Sequence, residues 1–170
     1  MAQHGYLSQI KFLVVDDNAF SRTLIRRILV QFGASEIQEA RDGAAAMTDA
    51  ITFKPDIIIV DWMMKPVDGM EFVRWLREGR DSPAPFTPVI MVSAFSHIHN
   101  VLQARDAGIN EFLAKPISAK SLLSRIQAVI DKPRHFVRAD AYFGPDRRRR
   151  PLPHRGADRR DEALEEEALE

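Results

Sequence analysis

Three short, unbroken apolar runs constrain the fold of this chain more than any other feature: Phe12–Val15, Ile57–Val60 and Val89–Val92. They are rich in β-branched residues and lack the alternation of a half-solvated strand. They therefore read as strands buried on both faces, the habit of parallel sheets covered by helices. The segments between them have helical spacing. Leu24, Ile25, Ile28, Leu29 and Phe32 form a stripe that stops at Gly33, which predicts a first helix from Ala19 to Phe32. Ile37 marks a weak second strand, Ala44–Phe53 an alanine-rich helix, and Met70–Arg77 a third helix with Phe72, Val73 and Leu76 inward. A fourth helix runs from His97 to Ala107, stopped by Gly108. Asn110–Leu113 reads as a fifth strand, and Ser118 caps a last helix that ends at Lys132-Pro133. Five strands alternating with five helices predict a doubly wound, five-stranded parallel α/β sheet with helices on both faces. That domain is expected to span residues 7–132, with 1–6 as an N-terminal extension.

After Pro133 the pattern breaks. Arg147–Arg150 is a basic run punctuated by Pro145, Pro151 and Pro153, and residues 161–170 are acidic. Residues 133–170 are therefore expected to be a charged, flexible tail, solvated or dependent on a partner. It is too short for a helix-turn-helix or a catalytic output domain. Over the whole chain 24 Lys+Arg balance 24 Asp+Glu, which argues against a molecule built to coat nucleic acid or an anionic membrane. There is no Cys, hence no disulfide, thiolate metal site or cysteine nucleophile. No apolar stretch approaches the roughly 18 residues of a membrane span, and the opening residues do not read as a secretory signal, so the expected compartment is the cytoplasm.

Open α/β sheets bind ligands at the carboxyl ends of their strands. Here the first run is followed by Asp16-Asp17, the second by Asp61, the third by Ser93, and the fifth strand by Lys115-Pro116. Four strands thus deliver three carboxylates, a hydroxyl and an ammonium to one edge. Carboxylates so grouped resist ionisation unless a cation joins them, and an all-oxygen set suits Mg²⁺ completed by a phosphate. Lys115 and Ser93 suit phosphoryl oxygens. One carboxylate is then free to attack phosphorus. Asp61, alone at the end of the central strand, is the best nucleophile, and the paired Asp16 and Asp17 are better metal ligands.

This ordered set, with Asp68-Gly69, Ser93-Ala94, Phe112 and Lys115-Pro116, resembles the receiver domains of two-component response regulators from Lys11 to Asp131, in the flavodoxin-like receiver fold. The resemblance implies that Asp61 is the phosphoacceptor. It implies that Asp16, Asp17, Asp61 and the backbone carbonyl of Met63 hold Mg²⁺, that Ser93 and Lys115 contact the phosphoryl group, and that Ser93 and Phe112 form the switch. The expected role is a stand-alone, chemotaxis-regulator-like module. It would be phosphorylated by a histidine kinase or histidine phosphotransfer protein, and would signal through the fourth helix, fifth strand and fifth helix or through the tail. It would not be an enzyme beyond slow autodephosphorylation.

Three positions depart from the family pattern. Lys65 stands where receivers usually place Pro, with Pro66 following. Met63 and Phe95, bulky and apolar, occupy positions that flank the attacking water, and the switch is Phe112 rather than Tyr. A phosphohydrolase of the haloacid dehalogenase type is the alternative, but such enzymes place a second Asp where Met63 stands. A regulator whose basic tail binds DNA is a further alternative, disfavoured by the acidic end. His97 and His99, two apart at a helix start, do not face each other and read as a solvated helix end.

Overall fold

The computed structural model describes residues 5–148. The strands and helices run in the order β1 (Lys11–Val15), α1 (Ala19–Gln31), β2 (Glu36–Ala40), α2 (Gly43–Phe53), β3 (Ile57–Asp61), α3 (Gly69–Glu78), β4 (Val89–Ser93), α4 (Ile98–Ala107), β5 (Glu111–Ala114) and α5 (Ala119–Asp131). A hairpin follows, β6 (Phe136–Ala139) and β7 (Tyr142–Pro145). The five strands of the sheet are parallel in the order β2-β1-β3-β4-β5. This is the flavodoxin-like order, and its direction of growth reverses between β1 and β3.

The alternation of side chains along each strand splits the core in two. Phe12, Val14, Ile57, Ile59, Ile90 and Val92 meet α1 and α5 through Ile25, Leu29, Leu122 and Ile126. Leu13, Val15, Ile58, Val60, Val89 and Met91 meet α3 through Phe72, Val73 and Leu76 on the other face. Every residue of β3 and β4 is buried, the four apolar residues of each run and the Asp61 or Ser93 that ends it. Helix starts are capped by polar side chains: Asn18 for α1, Asp42 for α2, Asp68 with Glu71 in a capping box for α3, and Ser118 with Ser121 for α5. Gly33 and Gly108, at φ 93° and 105°, take the left-handed turns that close α1 and α4.

The hairpin lies beyond the expected boundary at residue 132 and packs on the body of the domain through α3 and α4. Its anchor is Arg77, 3% exposed, on α3. The guanidinium donates to the carbonyls of Gly108 (2.9 Å), Pro85 (2.7 Å) and Thr87 (2.7 Å) and to Asn110 Oδ1 (3.2 Å), and the Phe136 ring covers it at 4.9 Å. Phe86, Phe136 and Phe143 close the seam with ring centroids 5.2 to 5.7 Å apart. A side chain at Gly144 would come within 3.0 Å of the Gly108 backbone, so β7 can lie this close only with glycine there. Before β1, Leu7 is fully buried and Tyr6 donates a hydrogen bond to Asp131, which holds these two residues against the domain. Arg149 and Arg150 of the basic run and the acidic stretch 161–170 lie outside the described residues.

Candidate functional site

At the carboxyl edge the chain leaves β1 through Asp16, whose N–H still bonds the Ala40 carbonyl at 3.1 Å and prolongs the strand by one residue. The Asp16 side chain is 1% exposed, and its Oδ1 accepts the Asn18 N–H at 2.9 Å. Asn18 in turn caps α1, and Arg22 on that helix donates to the Asp16 carbonyl at 2.7 Å while its Nε lies 3.5 Å from Glu39. The turn is therefore held at both ends, and Asp17 is left facing solvent.

Asp61 is the last residue of β3 and pairs in register with Val92. Behind it the start of α3 approaches so closely that a Cβ on Gly69 would sit 2.1 Å from the Asp61 carbonyl oxygen. Only glycine allows this, and the Gly69 N–H uses the proximity to bond the Trp62 carbonyl at 2.8 Å. Asp68-Gly69 is thus a helix start that also brings α3 against the strand end.

Lys115 follows β5, where its backbone N–H bonds the Ser93 carbonyl at 2.9 Å. Its side chain crosses β4 to place Nζ 3.1 Å from Asp16 Oδ2 and 3.3 Å from Asp61 Oδ1. Asp16, Asp17 and Asp61 offer carboxylate oxygens that all lie within 4.8 Å of one another. Burial, with the charge of Asp16, pushes the Asp61 carboxyl up to about 6, and Lys115 holds it from rising further. Burial works against the Lys115 ammonium, but the two carboxylates outweigh it and raise its pKa. Three hard oxygen donors with one point cation on one side make a set that a divalent oxophile completes.

Ser93 is 1% exposed at the end of β4, and its Oγ accepts the Phe95 N–H at 3.0 Å. The structure therefore brings Asp16, Asp17, Asp61 and Lys115 into one cluster and seats Ser93 at the same edge. Met63 and Phe95 are both exposed, on the loops after β3 and β4, whereas Met64 is the buried methionine of its loop. Lys65-Pro66 and Lys115-Pro116 are cis peptide bonds. Phe112 is half-buried on β5 against the α3–α4 side of the core. His97 precedes α4 and makes no side-chain cap. Sequence reasoning missed Asn18 and Arg22. Asn18 was readable as a helix N-cap, but nothing in the sequence marks the Arg22 bond to a backbone carbonyl.

The model of the response regulator receiver domain matches residues 12–127. The chain belongs to this family. Over 123 residues it is 29% identical to the chemotaxis protein CheY of Pseudomonas aeruginosa, covering 72% of this chain and 98% of that one. It is 30% identical over 120 residues to the DNA-binding dual master transcriptional regulator RpaA of Synechocystis, covering 71% of this chain but only 48% of that longer protein. Among solved structures, the CheX–CheY–BeF3–Mg²⁺ complex of Borrelia burgdorferi contains a similar chain at 28% identity and a TM-score of 0.65, with 71% of this chain and 89% of that one covered. This receiver is a phosphorylatable response regulator of the two-component class.

Proposed function

We propose that this receiver accepts a phosphoryl group on Asp61 from a phosphohistidine of a histidine kinase or histidine phosphotransfer protein. The observation that carries the reading is the placement of Asp61 at a strand end, in contact with Lys115 and grouped with Asp16 and Asp17. An ionised Asp61 oxygen forms the new P–O bond while the P–N bond breaks and its electron pair leaves with the imidazole. With a pKa near 6, Asp61 is mostly ionised at neutral pH. Lys115, already between Asp16 and Asp61, turns one donor to a phosphoryl oxygen, and the Ser93 hydroxyl serves another.

Asp16, Asp17, Asp61 and the Met63 carbonyl are the groups that would hold Mg²⁺, and their all-oxygen chemistry fits that ion. When bound, Mg²⁺ neutralises charge on the transferring group. The Borrelia relative was crystallised with BeF3 and Mg²⁺, which is consistent with such a site. Met63 and Phe95 carry no polar side chain to orient a water, so the aspartyl phosphate is expected to decay slowly. The phosphoryl group draws Ser93 inward, and Phe112 fills the space released. That changes the face made by α4, β5 and α5, through which an output protein binds. The site of action is the cytoplasm, where such kinases present their phosphohistidine.

The test is incubation with acetyl phosphate and Mg²⁺, read by mass spectrometry. One added phosphoryl group in the parent chain and none in Asp61→Ala is the expected result. Labelling that persists in Asp61→Ala would overturn the assignment.

A further inference from the structure

A cavity of about 370 Å³ opens between α4, β5 and the chain on either side of the hairpin. Val101, Leu102 and Phe112 give it an apolar floor, Arg105, Arg134 and Arg147 surround it, and no carboxylate is among its lining side chains. The arginines outnumber their partners. Arg105 and Arg147 share Asp106, at 3.3 and 2.9 Å, and Arg125 and Arg134 share Glu111, at 3.2 and 3.4 Å. Among the described residues, Asp106 and Glu111 are the carboxylates paired with the three arginines that line the cavity, and Glu111 is shared with Arg125 besides, so the rim keeps a surplus of positive charge.

The chain also leaves the described fold at this rim. Arg147 is pinned there by Asp106 and by stacking at 4.6 Å over the Tyr142 ring. The sequence beyond it reaches residues 161–170, which set Leu164 and Leu169 among six carboxylates. About a dozen residues of unstructured chain have a root-mean-square reach of about 20 Å, ample for a groove that begins at the anchor itself. Tethering at that distance gives a local concentration on the order of millimolar, enough to populate a weak contact.

We propose that residues 161–170 occupy this groove in cis, their leucines on Leu102 and Phe112 and their carboxylates against Arg105, Arg134 and Arg147. The arginines between 148 and 160 offer the same charge with little more than Leu152 and two prolines for apolar company in the sequence, whereas the groove sets its arginines around a floor of Val101, Leu102 and Phe112. So seated, the acidic segment competes with any partner that uses the α4–β5 face, and a change in Phe112 alters the floor it rests on. The docking itself does not depend on the phosphoryl chemistry proposed above.

The cysteine-free sequence makes the test direct. In the full chain, Leu102→Cys with Leu164→Cys should close an intramolecular disulfide at least about tenfold faster than Ile51→Cys with Leu164→Cys, where Ile51 is exposed on α2. High salt should slow the first pair toward the second. Equal rates for the two pairs, rates indifferent to salt, or disulfide-linked dimers in place of monomers would overturn the proposal. In a second measurement that leaves the groove intact, Glu165→Gln, Glu166→Gln and Glu167→Gln together should shift the backbone amide resonances of Leu102, Arg105 and Phe112 and leave Ile51 unmoved. Unchanged resonances at the first three would also overturn it.

Discussion

Replacing Asp61 by Asn should make the metal-free protein more stable at neutral pH. Burial and the neighbouring Asp16 raise the Asp61 carboxyl from 3.8 to about 6 in the folded state. The folded chain therefore binds the proton more tightly than the unfolded chain does. Stability linked to this group is fully present below about pH 4, falls as pH rises, and is fully lost above about pH 6. At full strength the shift corresponds to about 3 kcal/mol, and solvent at the mouth of the pocket reduces this to about 1–2 kcal/mol. The amide has the shape of the carboxyl but no charge to repel Asp16 and Asp17. Urea unfolding in the presence of a chelator should show the variant ahead by that amount near pH 7.5, with the gap closing near pH 4. Mg²⁺ should narrow or reverse the gap at neutral pH, because it stabilises the parent and loses a ligand in the variant. A variant equal to or less stable than the parent at neutral pH without metal would refute the claim that the pocket is electrostatically strained by its own carboxylates.

Millimolar Mg²⁺ should raise the thermal midpoint of the parent protein, by about 1.4 kcal/mol of stability at tenfold excess over Kd, and Asp17→Asn should reduce the response without unfolding the domain. Met63→Asn with Phe95→Glu should speed decay of the phosphorylated protein by about tenfold, followed by loss of the mass increment, because polar groups there can orient a water. Phe143→Ala should cost about 3 kcal/mol and show first as faster amide exchange in β6 and β7, since that ring packs on Phe86 and Phe136.

The sheet was legible because its evidence is local. FLVV, IIIV and VIMV can hardly be anything but strands covered on both sides, and in the structure β3 and β4 are buried at every residue. The acidic cluster was legible because strand ends are collected by the topology: once β1 and β3 are neighbours, Asp16 and Asp61 must be too. Lys115 needed more, a side chain long enough to cross β4, and its residue type supplied that reach. β2 was nearly invisible, since EIQEA at the sheet edge needs burial only at Ala40 and partly at Ile37 and Gln38.

The hairpin shows where such reading fails and why. FVRA and YFGP are two four-residue runs joined by Asp140-Ala141, which lacks the glycine that marks the usual two-residue hairpin turns. An isolated two-stranded hairpin is marginal in water, and the surrounding arginines and prolines weigh toward a solvated tail. What reverses the balance is not in residues 133–148. Arg77 is one apparent surface cation of an amphipathic helix, yet it lies 3% exposed, its charge spread over three carbonyls and Asn110. Burial lowers its pKa only to about 10, so it remains a cation at neutral pH. A charge desolvated in that way gains from a ring placed over it, and Phe136 supplies the ring. Helix α3 and the hairpin therefore complete each other across sixty residues of sequence, and neither half alone carries a sign of the other.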